Sequence, residues 1–246
     1  MDKKIEELKE IVKNSNNIVF FGGAGVSTAS NIPDFRSANG LYNEKSGLKY
    51  TPEQILSHTF FMKHTKDFFD FYRSKMVYQE ARPNDAHITL AKLEQEGKLK
   101  AVITQNIDGL HQMAGSKNVL ELHGSIHRNS CMKCRKSFSL DYTVQSKDIP
   151  LCDACGGIVK PDVVLYEECL DNSIINASID YISKADVFIV GGTSLSVYPA
   201  AGLVSYYPGR KLILINKTET PYDSKAGLTI YGNIAEVFSR TFAEMD

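Results

Sequence analysis

The sequence carries almost no net charge: 28 lysines and arginines face 29 aspartates and glutamates. That balance excludes the whole-surface attraction by which a basic protein holds nucleic acid or an anionic membrane. No apolar run approaches the ~18 residues that a membrane-crossing helix needs. Residues 1–8 are charged and lack the apolar core of a signal peptide, so a cytoplasmic location is expected. Cysteine is sparse, with 5 in 246 residues. In a cytosolic chain those few point to a metal or a reactive thiol before a disulfide framework. Internal repeats and low-complexity tracts are missing too, which leaves no case for a repeat array or a disordered chain.

What is present is 43% apolar and 23% charged residues, the balance of a globular protein long enough for one large domain or one domain with an insertion. Ile5, Leu8, Ile11 and Val12 fall at helical spacing and predict a surface helix over residues 3–14. Residues 17–21 read as a buried strand. It runs into residues 22–37, GGAGVSTASNIPDFRS, where Gly22, Gly23 and Gly25 let the chain turn sharply and approach a ligand. Strand, glycine turn and helix start together predict a phosphate cradle. The fingerprint is incomplete, because Thr28 stands where dinucleotide-binding folds have a third glycine.

Short apolar strands are predicted at residues 101–104, 119–122, 163–165, 187–190 and 212–215. Between them lie a helix opened by Pro83-Asn84-Asp85, one capped by Asp171 or Asn172 with an Ile175, Ile179, Ile182 stripe, and one with Pro199 in its first turn. A last helix opens with an Asn233…Glu236 capping box and buries Val237, Phe238 and Phe242. The alternation predicts an α/β fold with a parallel, Rossmann-like sheet built from residues 1–37, 83–125 and 158–246. Residues 38–82 and 126–157 break the rhythm and are expected to form a smaller lobe. The first is an aromatic-rich helical module, with Phe68, Phe71, Tyr72 and Met76 on one helical face. In open α/β sheets ligands lie beyond the carboxyl ends of the strands. The polar groups placed there are Gln105, Asn106, Asp108, His123, Thr193, Ser194 and Asn216, beside the glycine loop.

The second insertion carries Cys131-x2-Cys134, then 17 residues, then Cys152-x2-Cys155. That spacing predicts a four-thiolate Zn2+ site, closed and therefore structural, with two disulfides as the alternative. Cys169 lies outside the pattern. His123 is the candidate general base, since imidazole takes a proton from a hydroxyl near neutral pH. Asn106 can orient a hydroxyl or water, and Asp108 can accept an amide N–H. His58, His64, His87, His111 and His127 are read as structural or surface residues.

These residues occur in one order: Gly23-Ala24-Gly25-Val26-Ser27, Ile32-Pro33-Asp34-Phe35-Arg36-Ser37, Thr104-Gln105-Asn106-Ile107-Asp108-Gly109-Leu110-His111, Leu122-His123-Gly124, the four cysteines, Gly192-Thr193-Ser194-Leu195 and Ile215-Asn216. The set resembles the sirtuins, NAD-dependent protein-lysine deacylases, in their bacterial form, and the resemblance spans essentially the whole chain. It implies NAD held between the Rossmann-like lobe and a small lobe of zinc and helical modules. Gly23, Ala24, Gly25 and Thr28 would hold the phosphate end, and Phe35 and Arg36 would belong to a mobile loop over the nicotinamide ribose. Gln105, Asn106, Ile107 and Asp108 would line the nicotinamide side; Gly192, Thr193, Ser194, Asn216 and Ile234 would surround the adenosine.

The implied reaction starts with attack of the acetyl-lysine carbonyl oxygen on the ribose carbon as nicotinamide leaves, giving an alkylimidate. His123 then acts as base on a ribose hydroxyl, which attacks the imidate, and water completes the release of lysine and O-acetyl-ADP-ribose. Peptide is implied to add as a strand alongside residues 163–168 and 195–198, touching Val163, Val164, Glu167 and Val197. Glu167, Glu168 and Asp171 would favour basic flanking residues, or form a solvated acidic loop. Glu167 departs from the glycine that many members carry there. Tyr72 and Lys75 match a Tyr-x-x-Arg pair of members that remove acidic acyl groups, with lysine in the arginine place. Acetyl is therefore the expected main substrate, with acidic acyl groups removed weakly. Two alternatives are an ADP-ribosyltransferase using the same NAD cleavage and a zinc-ribbon regulator without turnover; balanced charge and the Asn106, His123 pair weigh against the latter. A monomer is expected.

Overall fold

The computed structural model describes residues 1–35, 37, 40–43 and 50–242. In chain order its elements are α1 (Asp2–Lys13), β1 (Ile18–Gly22), α2 (Pro52–Ile55), α3 (His58–Lys63), α4 (Thr65–Lys75), α5 (Asp85–Gln95), β2 (Leu99–Thr104), α6 (Leu110–Ala114), β3 (Val119–Glu121), β4 (Gly124–Cys131), β5 (Ser137–Phe138), α7 (Leu140–Gln145), β6 (Val159–Val163), α8 (Asn172–Lys184), β7 (Val187–Gly191), β8 (Leu212–Asn216), β9 (Leu228–Tyr231) and α9 (Ile234–Phe242).

Six strands form a parallel sheet in the order β3-β2-β1-β7-β8-β9. The chain winds outward from β1 to β3, returns to the far side of β1 as β7, and winds out again. This is the doubly wound order whose switch point lies between β1 and β7. β1, β7 and β8 are buried along their whole length, as strands covered on both faces must be. The period of two divides the faces. Ile18 and Phe20 pack with Leu8 of α1, Leu90 of α5 and Phe238 of α9. Val19 and Phe21 pack with Ile182 of α8 and with Leu203 and Val204 of a 3-10 helix, Ala200–Tyr206.

β5, β4 and β6 form a separate antiparallel sheet. Gly124 at the start of β4 lies opposite Val163 at the end of β6. Its φ is 76°, and a Cβ there would come within 1.9 Å of the Asp162 carbonyl oxygen. Against this sheet packs the aromatic core of α3 and α4, in which Phe61, Phe68 and Phe69 meet edge to face and Tyr72 stacks on Phe68. Among the described residues no helix is long and apolar enough to cross a membrane.

Four local expectations are corrected. The glycine loop leads into two single 3-10 turns, Ala24–Val26 and Thr28–Ser30, and not into an α-helix. Pro199 precedes a 3-10 helix rather than opening an α-helix. The strand expected at residues 163–165 is β6, which begins earlier, at Val159, and ends at Val163 in the antiparallel sheet, with the Val164 amide still bonded to the His123 carbonyl at 2.9 Å. β9 was not expected; as an edge strand it buries only alternate residues, Leu228 and Ile230.

Candidate functional site

Thr104, Gly22, Gly191 and Ile215 are in lateral register at the carboxyl ends of β2, β1, β7 and β8. The four segments that follow therefore gather at one edge of the sheet. Gly25 N donates to the Gly192 carbonyl at 2.8 Å, joining the loops after β1 and β7 at the switch point. Only glycines allow this approach. A Cβ on Gly25 would lie 2.8 Å from the Gly192 Cα, and one on Gly192, whose φ is 60°, would lie 2.4 Å from Val26 N.

The edge opens into a cavity of about 540 Å³ between the parallel sheet and the small lobe. Gly23, Ala24, Gly25, Thr28 and Phe35 line it from the β1 side, and Gln105, Asn106, Ile107, Asp108 and His123 from the β2 and β3 side. Gly192, Thr193, Ser194 and Asn216 close the far end with Ile234. Val163, Val164, Glu167, Val197 and Lys75 line the face toward the small lobe. Arg36 lies outside the described residues.

A polar network fixes the centre. Asn106 Nδ2 donates to Ser27 Oγ at 3.0 Å, and Ser27 Oγ donates to Asp108 Oδ2 at 2.6 Å. Asp108 Oδ1 accepts the Leu110 amide at 2.9 Å, at the start of α6. Burial raises the Asp108 pKa, while the Ser27 and Leu110 bonds hold it down. Ser27 is expected at the crevice only as the end of the glycine loop, with no role of its own; its place in that motif is the available signal. Gln105 Nε2 donates to Thr193 Oγ1 at 3.0 Å, and the Thr193 amide to Asn216 Oδ1 at 2.8 Å. Asn216 Nδ2 is buried with no protein acceptor. An unspent donor there suits a ligand hydroxyl.

His123 Nδ1 lies 2.9 Å from the Gln105 carbonyl oxygen. A carbonyl only accepts, so Nδ1 carries the proton and Nε2 keeps its lone pair. Burial lowers the His123 pKa from its usual 6.5, and the Gln105 bond partly opposes this. The imidazole is therefore neutral at pH 7 and able to take a proton.

The two residues of the expected acyl pair differ in setting. Lys75 lines the cavity, but Tyr72 lies in the aromatic core, with its hydroxyl buried and unpartnered and its pKa pushed up by burial. The acidic loop carries local duties. Glu167, at φ 76°, accepts the Thr59 amide at 2.9 Å; Glu168 accepts from the Leu165 amide at 2.9 Å and Lys160 at 3.2 Å; Asp171 caps α8 through Ser173.

Away from the cavity, the four sulfurs of Cys131, Cys134, Cys152 and Cys155 lie within 4.8 Å of one another. No disulfide forms; Cys131 Sγ is 3.4 Å from Cys155 Sγ, and Cys134 Sγ 3.6 Å from Cys152 Sγ. Bonds of ~2.3 Å to one tetrahedral zinc put sulfurs ~3.8 Å apart, so the cluster fits that ion.

The chain matches the Sir2 family model over residues 23–199. It is 67% identical over 235 residues to an NAD-dependent protein deacetylase of Clostridium acetobutylicum, covering 95% of this chain and 96% of the relative. It is 63% identical over 241 residues to an NAD-dependent protein deacetylase of Clostridium perfringens, covering 98% and 99%. A solved complex of Sir2 with p53 peptide and NAD+ aligns at TM-score 0.85 and 37% identity, over 98% of each chain. The match extends through both the glycine loop and the four cysteines, and the chain belongs to the Sir2 family.

Proposed function

We propose that the chain is an NAD-dependent protein-lysine deacetylase that turns acetyl-lysine, NAD and water into lysine, nicotinamide and O-acetyl-ADP-ribose. The observation that carries the reading is the His123 tautomer: its Nδ1 proton is held by Gln105, leaving Nε2 basic in a cavity lined by glycine loops. NAD, when bound, supplies a labile bond to nicotinamide and ribose hydroxyls that accept the acetyl group. His123 takes the proton from one such hydroxyl. Asn106, held by Ser27, orients the reacting hydroxyl or water, and Asp108 keeps Ser27 and the start of α6 in place.

The residues fit the dinucleotide. Gly23, Ala24, Gly25 and Thr28 present the β1 loop to its phosphates. Asn216 Nδ2 has a donor to give to a ribose hydroxyl, with Gly192, Thr193, Ser194 and Ile234 around the adenosine. Gln105 and Ile107 line the nicotinamide side, with Phe35 above the ribose. Acetylated peptide lies as a strand along Val163, Val164, Glu167 and Val197. Zinc bound by the four cysteines is structural, because four protein thiolates leave no position for water. The described residues of the 38–82 stretch form, with residues 126–157, the lobe that closes the cavity from the side opposite the sheet. Acidic acyl groups are poor substrates, since Lys75, at the cavity wall, is a point charge without the bidentate fork of an arginine.

The test is incubation with NAD and one peptide carrying either acetyl-lysine or succinyl-lysine. Nicotinamide release should require the acylated peptide, yield O-acetyl-ADP-ribose and run faster with acetyl. Protein-bound ADP-ribose as the main product, or release without peptide, would overturn the reading.

A further inference from the structure

We propose that Tyr42 and Tyr166 form a hydroxyl bridge that positions the NAD-side loop against the peptide-side loop, so that each substrate strengthens binding of the other. The two phenolic oxygens lie 2.7 Å apart across 124 residues of sequence. Both tyrosines line the cavity, as do Phe35 and Glu167.

Each side of the bridge is tied to one substrate face. Tyr42 donates its amide to the Phe35 carbonyl at 2.9 Å, and the two rings meet at 5.4 Å and 58°. Leu41 donates to the Asp34 carbonyl at 2.8 Å and is itself buried in the aromatic core. A displacement of Tyr42 therefore moves Phe35, which faces the NAD side. Tyr166 is clamped to the helical module: its amide donates to the Leu56 carbonyl and its own carbonyl accepts from the His58 amide, both at 2.9 Å. The next residue, Glu167, sits in the left-handed region at φ 76°, held there by its carboxylate on the Thr59 amide at 2.9 Å. Non-glycine residues persist in that region only where surrounding contacts fix them. Tyr166 thus reaches from a rigid peptide-side loop to a Phe35 segment that follows it.

Linkage makes such a coupling reciprocal: if the peptide favours the bridged arrangement of Tyr42 and Tyr166, it raises affinity for the dinucleotide, and the reverse holds by the same factor. Tyr42 and Tyr166 act as positioning residues, since the bridge contributes no group to the reaction. The inference rests on the reading of the cavity as the NAD and peptide site, so the test carries one readout that needs no ligand.

In ligand-free protein, Tyr166→Phe should speed amide hydrogen exchange at Leu41 and Tyr42 by about two- to tenfold, the worth of one net hydrogen bond. Unchanged exchange at both amides would overturn the bridge whatever the ligands do. With ADP-ribose as probe, which has no nicotinamide to lose, acetyl-lysine peptide should tighten binding to the native chain. Tyr42→Phe and Tyr166→Phe should each reduce that enhancement by a similar factor, and the double variant should lose no more than either single, because one bond is broken once. Additive losses, or an enhancement intact in both single variants, would overturn the coupling. Failure of the native chain to bind ADP-ribose would instead overturn the assignment of the cavity, with the exchange data still deciding the bridge.

Discussion

The Nδ1 atom of His123 and the carbonyl oxygen of Gln105 are 2.9 Å apart. That contact sets which nitrogen of the ring is basic and ties the base to the loop after β2. Because burial holds the His123 pKa below 6.5, activity should fall on the acid side with a midpoint below that value. His123→Ala should lower kcat by about 10²–10⁴-fold, the usual contribution of a general base. A pH–rate profile checks both; an acid limb centred above 6.5 would contradict the assignment.

Gly192 and Gly97 offer a controlled comparison. Both have positive φ, 60° and 73°, but a Cβ on Gly192 would meet Val26 N at 2.4 Å whereas one on Gly97 meets nothing within 4 Å. Gly97→Ala should cost only the conformational penalty, about 1 kcal/mol. Gly192→Ala should cost about 1–3 kcal/mol more, because the β1 and β7 loops must part. Urea unfolding measures both, and equal costs would show that the close approach is not needed.

The four-cysteine cluster should bind one Zn2+ per chain, measurable by metal analysis. Removal by a chelator, or Cys131→Ser, should unfold β4, β5 and β6 and lower Tm, since binding and folding are coupled at such sites. Full stability in metal-free protein would contradict a structural zinc.

His87 and His111 lie face to tilted face, with ring centroids 4.7 Å apart, and both are buried. Burial lowers His87 to about 4 and His111 well below its usual 6.5. The folded chain thus binds fewer protons than the unfolded one below pH 6.5. Stability is fully present above that pH and is lost as pH falls toward 4, by about 3 kcal/mol from His87 alone. Unfolding free energies between pH 7.5 and 4.5 test this. His111→Leu should flatten the slope; an unchanged slope would exclude His111 as a source.

Much of this was legible from local pattern. β1, β7 and β8 are unbroken apolar runs, and runs of that kind are what a doubly covered parallel strand requires. β9 was hidden because Thr229 and Tyr231 interrupt it, as an edge strand permits. β6 was hidden because Lys160, Pro161 and Asp162 precede the valine that was read as its start. The cysteine spacing anticipated the sulfur cluster closely, since two knuckles carry most of its geometry within themselves. The Asn106, Ser27, Asp108 network joins residues 79 and 81 positions apart. No periodicity encodes such a contact; only the sheet order brings those loops together. Tyr72 illustrates the opposite case. Its spacing from Lys75 matched a motif, yet the aromatic company on α4 drew it into the core.

The pairing of Gly124 with Val163 has a consequence for how this chain can change over generations. The small sheet leaves the large one and returns through two strands lying side by side, so its ends are already joined at the stem. The entropy of closing a loop depends on bringing its ends together and only weakly on its length. To β3 and α8, everything between is equivalent to a tight hairpin. The far end of the segment, around the cysteine knuckles, can lengthen or shorten at little entropic cost to the parallel register. The stem is not free, because at Gly124 there is no room for even a methyl group against the Asp162 carbonyl.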